Sequence, residues 1–317
     1  MKNIFKVIVL IIAVMSSANV YCQTITSPNH KLKLNFMLDN AGIPTYELIR
    51  DGIKVIHQSK LGLLFKDAPS LQSGFVVSKV DSSTVNETWD PVWGEVKTIR
   101  DNHNELKVTL TQKETDRQIV LTFRLFDEGL GFRYEFPSQK NLSYFIVNDE
   151  LTQFNLGEDH TAFWIPGDFD SNEHVYSHTP LSQVDGTIGV NVNEITAKRI
   201  IGKNYVQSPL MMKAKNGLYI NIFEAALVDY SAMHLEIDQK NFILKTCLVP
   251  DAVGNKAYMQ TPCKTPWRTI LVSDKASDIL ASKMILNLNE PTKIANTDWI
   301  KPMKYVGIWW AMHVGTA

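Results

Sequence analysis

Polar and apolar residues alternate with a period of two along most of this chain, a pattern that predicts strands rather than helices. Residues 31–38, KLKLNFML, set Leu32, Leu34, Phe36 and Leu38 on one face and Lys31, Lys33 and Asn35 on the other. Residues 46–56, YELIRDGIKVI, read as a hairpin with Asp51-Gly52 at its turn, where glycine accepts a positive φ. ELKVTLTQ (105–112) alternates again, and IVLTFRLFDEGLGFRYEF (119–136) reads as two long strands around Asp127-Glu128-Gly129. GLYINIFEA (217–225), LEIDQKNFIL (235–244) and WRTILVS (267–273) continue the series. Helix signal is confined to DKASDILASKMILNL, with one or two turns over 275–282 and then an apolar strand. So many antiparallel strands need two packed sheets, each hiding one face, and the fold class is therefore mainly β, a large β-sandwich. The one plausible boundary is NLNEPTKIANTDWIKP (287–302), polar and carrying Pro291 and Pro302. Beyond it, KYVGIWWAMHVGTA (304–317) mixes β-branched and aromatic residues around Gly307, which suits a covered strand more than a frayed tail.

Composition narrows the function classes. At 317 residues the chain has room for one large or two medium domains, and 44% hydrophobic with 21% charged residues is ordinary for a globular protein. Lys plus Arg number 32 against 33 for Asp plus Glu, which gives no electrostatic case for nucleic acid or an anionic membrane. The first 22 residues read as a secretory signal: Lys2 and Lys6 precede an apolar run over 7–15, too short to span a bilayer, and small residues lead to a cut near Cys22–Gln23. A lipid-bearing Cys22 is disfavoured by the bulky Tyr21 before it, so no membrane anchor is expected. The remaining cysteines, Cys247 and Cys263, fall on separate strands without metal-binding spacing and read as free, mostly buried thiols.

Three stretches carry candidate chemistry. ETWDPVWGEVKTIRDNHNEL (87–106) offers Trp89, Trp93 and Arg100 as a sugar-stacking platform, although such tryptophans more often pack with a satisfied indole N–H. FWIPGDFDSNEHVYSHTPL (163–181) crowds Asp168, Asp170 and Glu173 after a Pro166-Gly167 turn, with His174 and His178 nearby; oxygen-rich loops suit calcium, but the spacing is not that of an EF-hand. NIFEAALVDYSAMH (221–234) places Glu224 and Asp229 beside an apolar run, where acid–base work would require the two to face each other. No G-x-S-x-G, P-loop or G-x-G-x-x-G occurs, and no convincing catalytic centre stands out.

The stretches SPN, GIPTYEL, ETWDPVWGE, RLFDEGLGFRYEFP, AFWIPGDFD, EAALVDYSAMHL, YMQTPCKTPWRTI and LNLNEP, in this order, resemble glycoside hydrolase family 97, its α-glucosidase branch above all. The resemblance implies a β-super-sandwich like that of galactose mutarotase over 23–290, a linker over 291–302, and over 303–317 the start of a truncated catalytic (β/α)8 barrel, KYVGIWW being its first strand. It points Trp309 and Trp310 toward the pocket rim or interior, places Trp309 in the sugar-binding subsite, and makes Glu173 a ligand reaching from the sandwich to a calcium ion in the barrel. The parent enzyme would be a secreted, periplasmic, calcium-dependent, inverting α-glucosidase acting on starch-derived, α-linked oligosaccharides. Its catalytic carboxylates belong to the barrel, so none is assigned here and this chain alone is expected to be inactive. Alternatives are a retaining α-galactosidase of the same family, a non-catalytic carbohydrate-binding module, and an aldose epimerase using Glu224 with a histidine.

Overall fold

The computed structural model describes residues 21–188, 199–309 and Gly315. Two large antiparallel sheets face each other. One has eight strands in the order Tyr21–Thr26, Leu32–Leu38, Pro44–Arg50, Ile53–Lys60, Gln153–Asn155, Ile243–Leu248, Met233–Asp238 and Tyr205–Gln207. The other runs Ser177–Pro180, Thr161–Trp164, Leu210–Lys213, Tyr219–Ala225, Trp267–Ser273, Gly129–Phe136, Arg117–Phe126, Ile99–Gln112 and Phe75–Trp89, with Cys263–Lys264 also pairing to Gly129–Phe136. A small sheet of Ala257–Gln260, Tyr144–Glu150 and Leu63–Phe65 lies beside them.

The alternation in the sequence sets this arrangement. Leu32, Leu34, Phe36 and Leu38 are all buried, and Phe36 meets Phe123 of the facing sheet with ring centroids 5.9 Å apart. Tyr46 meets Phe132 across the same gap at 4.9 Å, and Phe132 meets Phe154 at 6.3 Å. One continuous apolar core fills the space between the sheets, each large side chain contributing roughly 1.5–3 kcal/mol by leaving water. The predicted hairpin turn forms as expected, with Asp51 at φ 48° and Gly52 at φ 83°.

One expectation changes, and one strand was not foreseen. The segment after the first helix, Ala276–Ala281, is a second short helix, Met284–Asn287, and not a strand. Helical spacing puts Met284 and Leu288 on one side, where they join Phe126, Trp267 and Leu271 in a second apolar cluster on the outer face of the larger sheet. The 15-residue strand Phe75–Trp89, mostly exposed at a sheet edge, had no apolar alternation to announce it. The signal lies outside the described residues up to position 20; Tyr21 and Cys22 open the first strand, paired with Leu38 and Met37. Of the expected barrel strand, residues 310–314, 316 and 317 lie outside the described residues, and 303–308 run exposed in no sheet. A strand needs a neighbour to complete its hydrogen-bond ladder. Among the described residues no helix is long and apolar enough to cross a membrane.

Candidate functional site

The acidic loop between Thr161–Trp164 and Ser177–Pro180 is built around one carboxylate. Pro166 bridges Val206, and the Gly167 N–H donates to the Tyr205 carbonyl at 2.8 Å. A Cβ at Gly167 would stand 2.8 Å from Tyr205 Cβ, so only glycine permits that approach. The turn delivers Asp168 to the interior, 2% exposed. Its Oδ1 accepts backbone N–H groups from Asp170 (2.9 Å), Ser171 (3.2 Å) and Arg199 (2.8 Å), while Oδ2 meets His174 Nε2 at 3.0 Å. Burial pushes the Asp168 carboxyl up, but the three amides and His174 outweigh it and hold it below the usual carboxylate range.

With Asp168 and His174 turned inward on each other, Glu173 is left on the rim. Its N–H is tied to Ser171 Oγ at 3.0 Å, and the residue is exposed alongside Val175 and Tyr176. Asp170 is exposed and 3.7 Å from Arg199 Nε, and His178 stacks on Phe163 at 4.6 Å, away from His174. The five acidic and histidine side chains of this loop therefore do not converge. No group of three or more His, Cys, Asp or Glu able to hold a metal exists among the described residues. Glu173 suits a calcium ion as a single hard oxygen donor, and a complete site needs several more.

Glu224 is not positioned for acid–base chemistry. Arg268, 1% exposed, donates from Nε (2.9 Å) and Nη2 (2.7 Å) to the two oxygens of Glu150, and from Nη1 (2.6 Å) to Glu224 Oε2. Thr152 Oγ1 and Tyr230 Oη donate to Glu150 at 2.8 and 3.1 Å, and the Met233 N–H to Glu224 at 3.1 Å. Burial lifts the Glu224 carboxyl above its ordinary range; at Glu150 burial works the same way but Arg268 overcomes it. Asp229 sits on an exposed turn at φ 51°, and His234 packs its ring 5.8 Å from Phe169. The pairing of Glu224 with a histidine or with Asp229 is not made.

The tryptophan platform does not assemble either. Trp89 Nε1 donates to Asn287 Oδ1 at 2.9 Å and clasps the edge hairpin to the short helix, while Trp93 is exposed at the hairpin end and Arg100 binds Asn86 Oδ1 at 3.1 Å. Trp309 is exposed. Cys247 and Cys263 are free and half-buried, and burial pushes both thiols up to about 11.

What sequence reasoning missed is a groove of ≈ 1070 Å³ at one end of the sandwich, lined by Arg133 and parts of 226–231, 251–265 and 290–293. It adjoins the acidic loop: Lys256, on its wall, places Nζ 5.9 Å from the Phe169 ring. The chain departs from the sandwich here, through Glu290, Pro291 and Lys293. Only the assembly of four distant segments makes this wall, so no local signal announced it.

Comparison with known proteins supplies a family. A family model described as Glycosyl-hydrolase 97 N-terminal matches residues 25–291. A retaining alpha-galactosidase from Bacteroides thetaiotaomicron is 20% identical, over 96% of this chain and 47% of its own length. A glycoside hydrolase family 97 enzyme from Pseudoalteromonas sp. strain K8, solved in complex with acarbose, is 36% identical with a TM-score of 0.81, over 93% of this chain and 42% of that one. A substituted form of a family 97 enzyme from that strain, solved in complex with panose, is 35% identical at the same TM-score and coverage. A beta-arabinopyranosidase at 20% identity and a TM-score of 0.67 shares the fold. The chain thus spans less than half the length of these relatives.

Proposed function

We propose, from the premise that this chain belongs to glycoside hydrolase family 97 and is the N-terminal domain of such an enzyme, that it buttresses a catalytic barrel acting on α-glucosidic bonds of starch-derived oligosaccharides. The observation that carries this reading is Glu173: a carboxylate aimed outward from a loop whose own acid, Asp168, is spent on holding that loop rigid. Glu173 would lend one oxygen to a calcium ion completed by groups on the barrel, and the ion, when bound, supplies electrophilic help to the leaving oxygen. Asp168 and Ser171 fix the backbone from which Glu173 projects, so its side chain starts from a held position before the two domains meet. Trp309 would supply an indole face to the sugar, and hydrolysis would proceed with inversion. Panose and acarbose in the relatives at 35 and 36% identity favour the glucosidase over the galactosidase branch. Export to the periplasm, with the leader cut near Cys22–Gln23, belongs to the same proposal; Gln23–Thr26 would still pair with residues 33–36.

The test is direct. The purified chain, assayed with chromogenic α-glucoside and α-galactoside in calcium and then in chelator, should show no turnover, and titration with calcium should show no tight site. Turnover, or a tight calcium site on the chain alone, would overturn the division of labour proposed here.

A further inference from the structure

We infer that the sandwich itself carries a saccharide-binding platform, formed by Tyr258 and Tyr144 on the outer face of the small sheet where it borders the end groove. Tyr144 lies opposite Gln260 and Tyr258 opposite Ile146, so the two tyrosines are diagonal neighbours on one face, at a spacing that lets long side chains work together. Both are outward, 57% and 51% exposed, while the alternate residues Phe145 and Met259 are buried beneath.

Tyr258 is held in place, unlike most exposed side chains. Its hydroxyl donates to Asp251 Oδ2 and accepts from Asn255 Nδ2, each at 2.6 Å. Asp251 is itself fixed by the N–H groups of Val253 (2.9 Å) and Asn255 (2.8 Å), and Asn255 Oδ1 by Lys66 Nζ (3.0 Å). A ring immobilised before binding loses little entropy on binding. These anchors satisfy the hydroxyl and leave the ring face as the free surface, the half of tyrosine that suits an apolar, stacked partner.

Charge decides the class of that partner. Along the groove wall, Asp229, Asp251 and Glu290 stand against Arg133, Lys256, Lys264 and Lys293; Glu290 is already paired with Lys264, and Arg133 is engaged by Glu135 at 2.8 Å and Glu290 at 3.6 Å. A wall of nearly balanced, partly paired charges holds no strong field for a phosphate or a cation, and its many donors and acceptors disfavour a wholly apolar ligand. A neutral, hydroxyl-rich molecule with apolar ring faces fits both halves, and a groove of ≈ 1070 Å³ admits several rings. The ligand is an oligosaccharide; that it is an α-linked glucan rests on the function proposed above.

The experiment is calorimetric titration of the 317-residue chain with panose and with maltoheptaose. Saturable binding is expected, tighter for maltoheptaose. Tyr258→Ala and Tyr144→Ala should each weaken it about tenfold, roughly 1.4 kcal/mol. Tyr258→Phe, which keeps the ring and removes the anchor, should weaken it less. Thermal midpoints check that each variant folds; if Tyr258→Ala does not, Tyr144→Ala and Tyr258→Phe still decide. The inference is overturned by no saturable binding of either sugar, or by binding intact in a folded Tyr144→Ala/Tyr258→Ala variant. None of these outcomes touches the function proposed above, which fails on turnover or calcium binding instead.

Discussion

Arg268 is the residue whose environment is most demanding. A guanidinium in the core is tolerated because two carboxylates, a threonine and a tyrosine complete a hydrogen-bonded cluster around it. Burial works against its charge, but Glu150 and Glu224 outweigh that effect and hold the proton on more firmly. Arg268→Met should therefore cost about 3–5 kcal/mol, because it strands Glu150 and Glu224 without a counter-charge. Urea denaturation measures this, and the same change in a Glu150→Gln/Glu224→Gln background should cost much less. Equal losses in both backgrounds would mean that packing, not charge, is at stake. This cluster was illegible in the sequence, since Glu150 lies 118 residues from Arg268 and Glu224 lies 44 away. The loop that carries Glu173 was easier to read, because the Pro166-Gly167 turn that shapes it is local, whereas the link from Asp168 to Arg199, 31 residues on, required the fold; Glu173 as a ligand rested on the family resemblance alone.

At the scale of elements, strands with one wet and one dry face were readable, because alternation is a direct image of half burial. Leu32–Leu38 and Ile99–Gln112 show it. Phe75–Trp89 escaped because an exposed edge strand has no dry face, and Met284–Asn287 because four residues are too short for a helical period to emerge. Two glycines in Gly129–Phe136 show how closely its neighbours press. A Cβ at Gly129 would lie 2.3 Å from the Ile270 carbonyl oxygen, a backbone atom of the paired strand. At Gly131 the nearest atom, at 2.7 Å, is Cδ1 of Leu288, the end of a flexible side chain on the outer face. Gly129→Ala should then lower the thermal midpoint far more than Gly131→Ala, since a ladder moves less readily than a leucine. Gly131→Ala should instead loosen the 284–288 turn, read as faster amide exchange there. A larger loss at Gly131 than at Gly129 would contradict this account of the outer face.

The molecule as a whole should lose stability on mild acidification, through groups scattered across it. His160 and His234 are buried, and burial holds both imidazoles below their ordinary range. In the unfolded chain they take up protons as pH falls through about 6.5. The unfolded state then binds more protons, so the stability these histidines contribute is full above that value and is lost as pH falls toward their lowered folded pKa. Asp168 acts in the same sense lower down: its lowered folded pKa makes its contribution full above about pH 4 and lost in stronger acid. Glu224, Glu128 and Asp149 act in the opposite sense. Burial raises all three, so the folded state takes up their protons first and gains stability as pH falls through their raised values. The two histidines thus govern the interval just below neutrality and the carboxylates the interval beneath it. Comparing urea denaturation at pH 7.5 and pH 6 isolates the histidines: the drop in stability should be smaller in His160→Gln and His234→Gln than in the parent chain, and smallest in the double variant. Between pH 6 and pH 4.5, Glu224→Gln removes a proton site that favours the folded state and should make the decline steeper. A parent chain and a double histidine variant with parallel profiles from pH 7.5 to pH 6 would show that neither imidazole is kept neutral by burial.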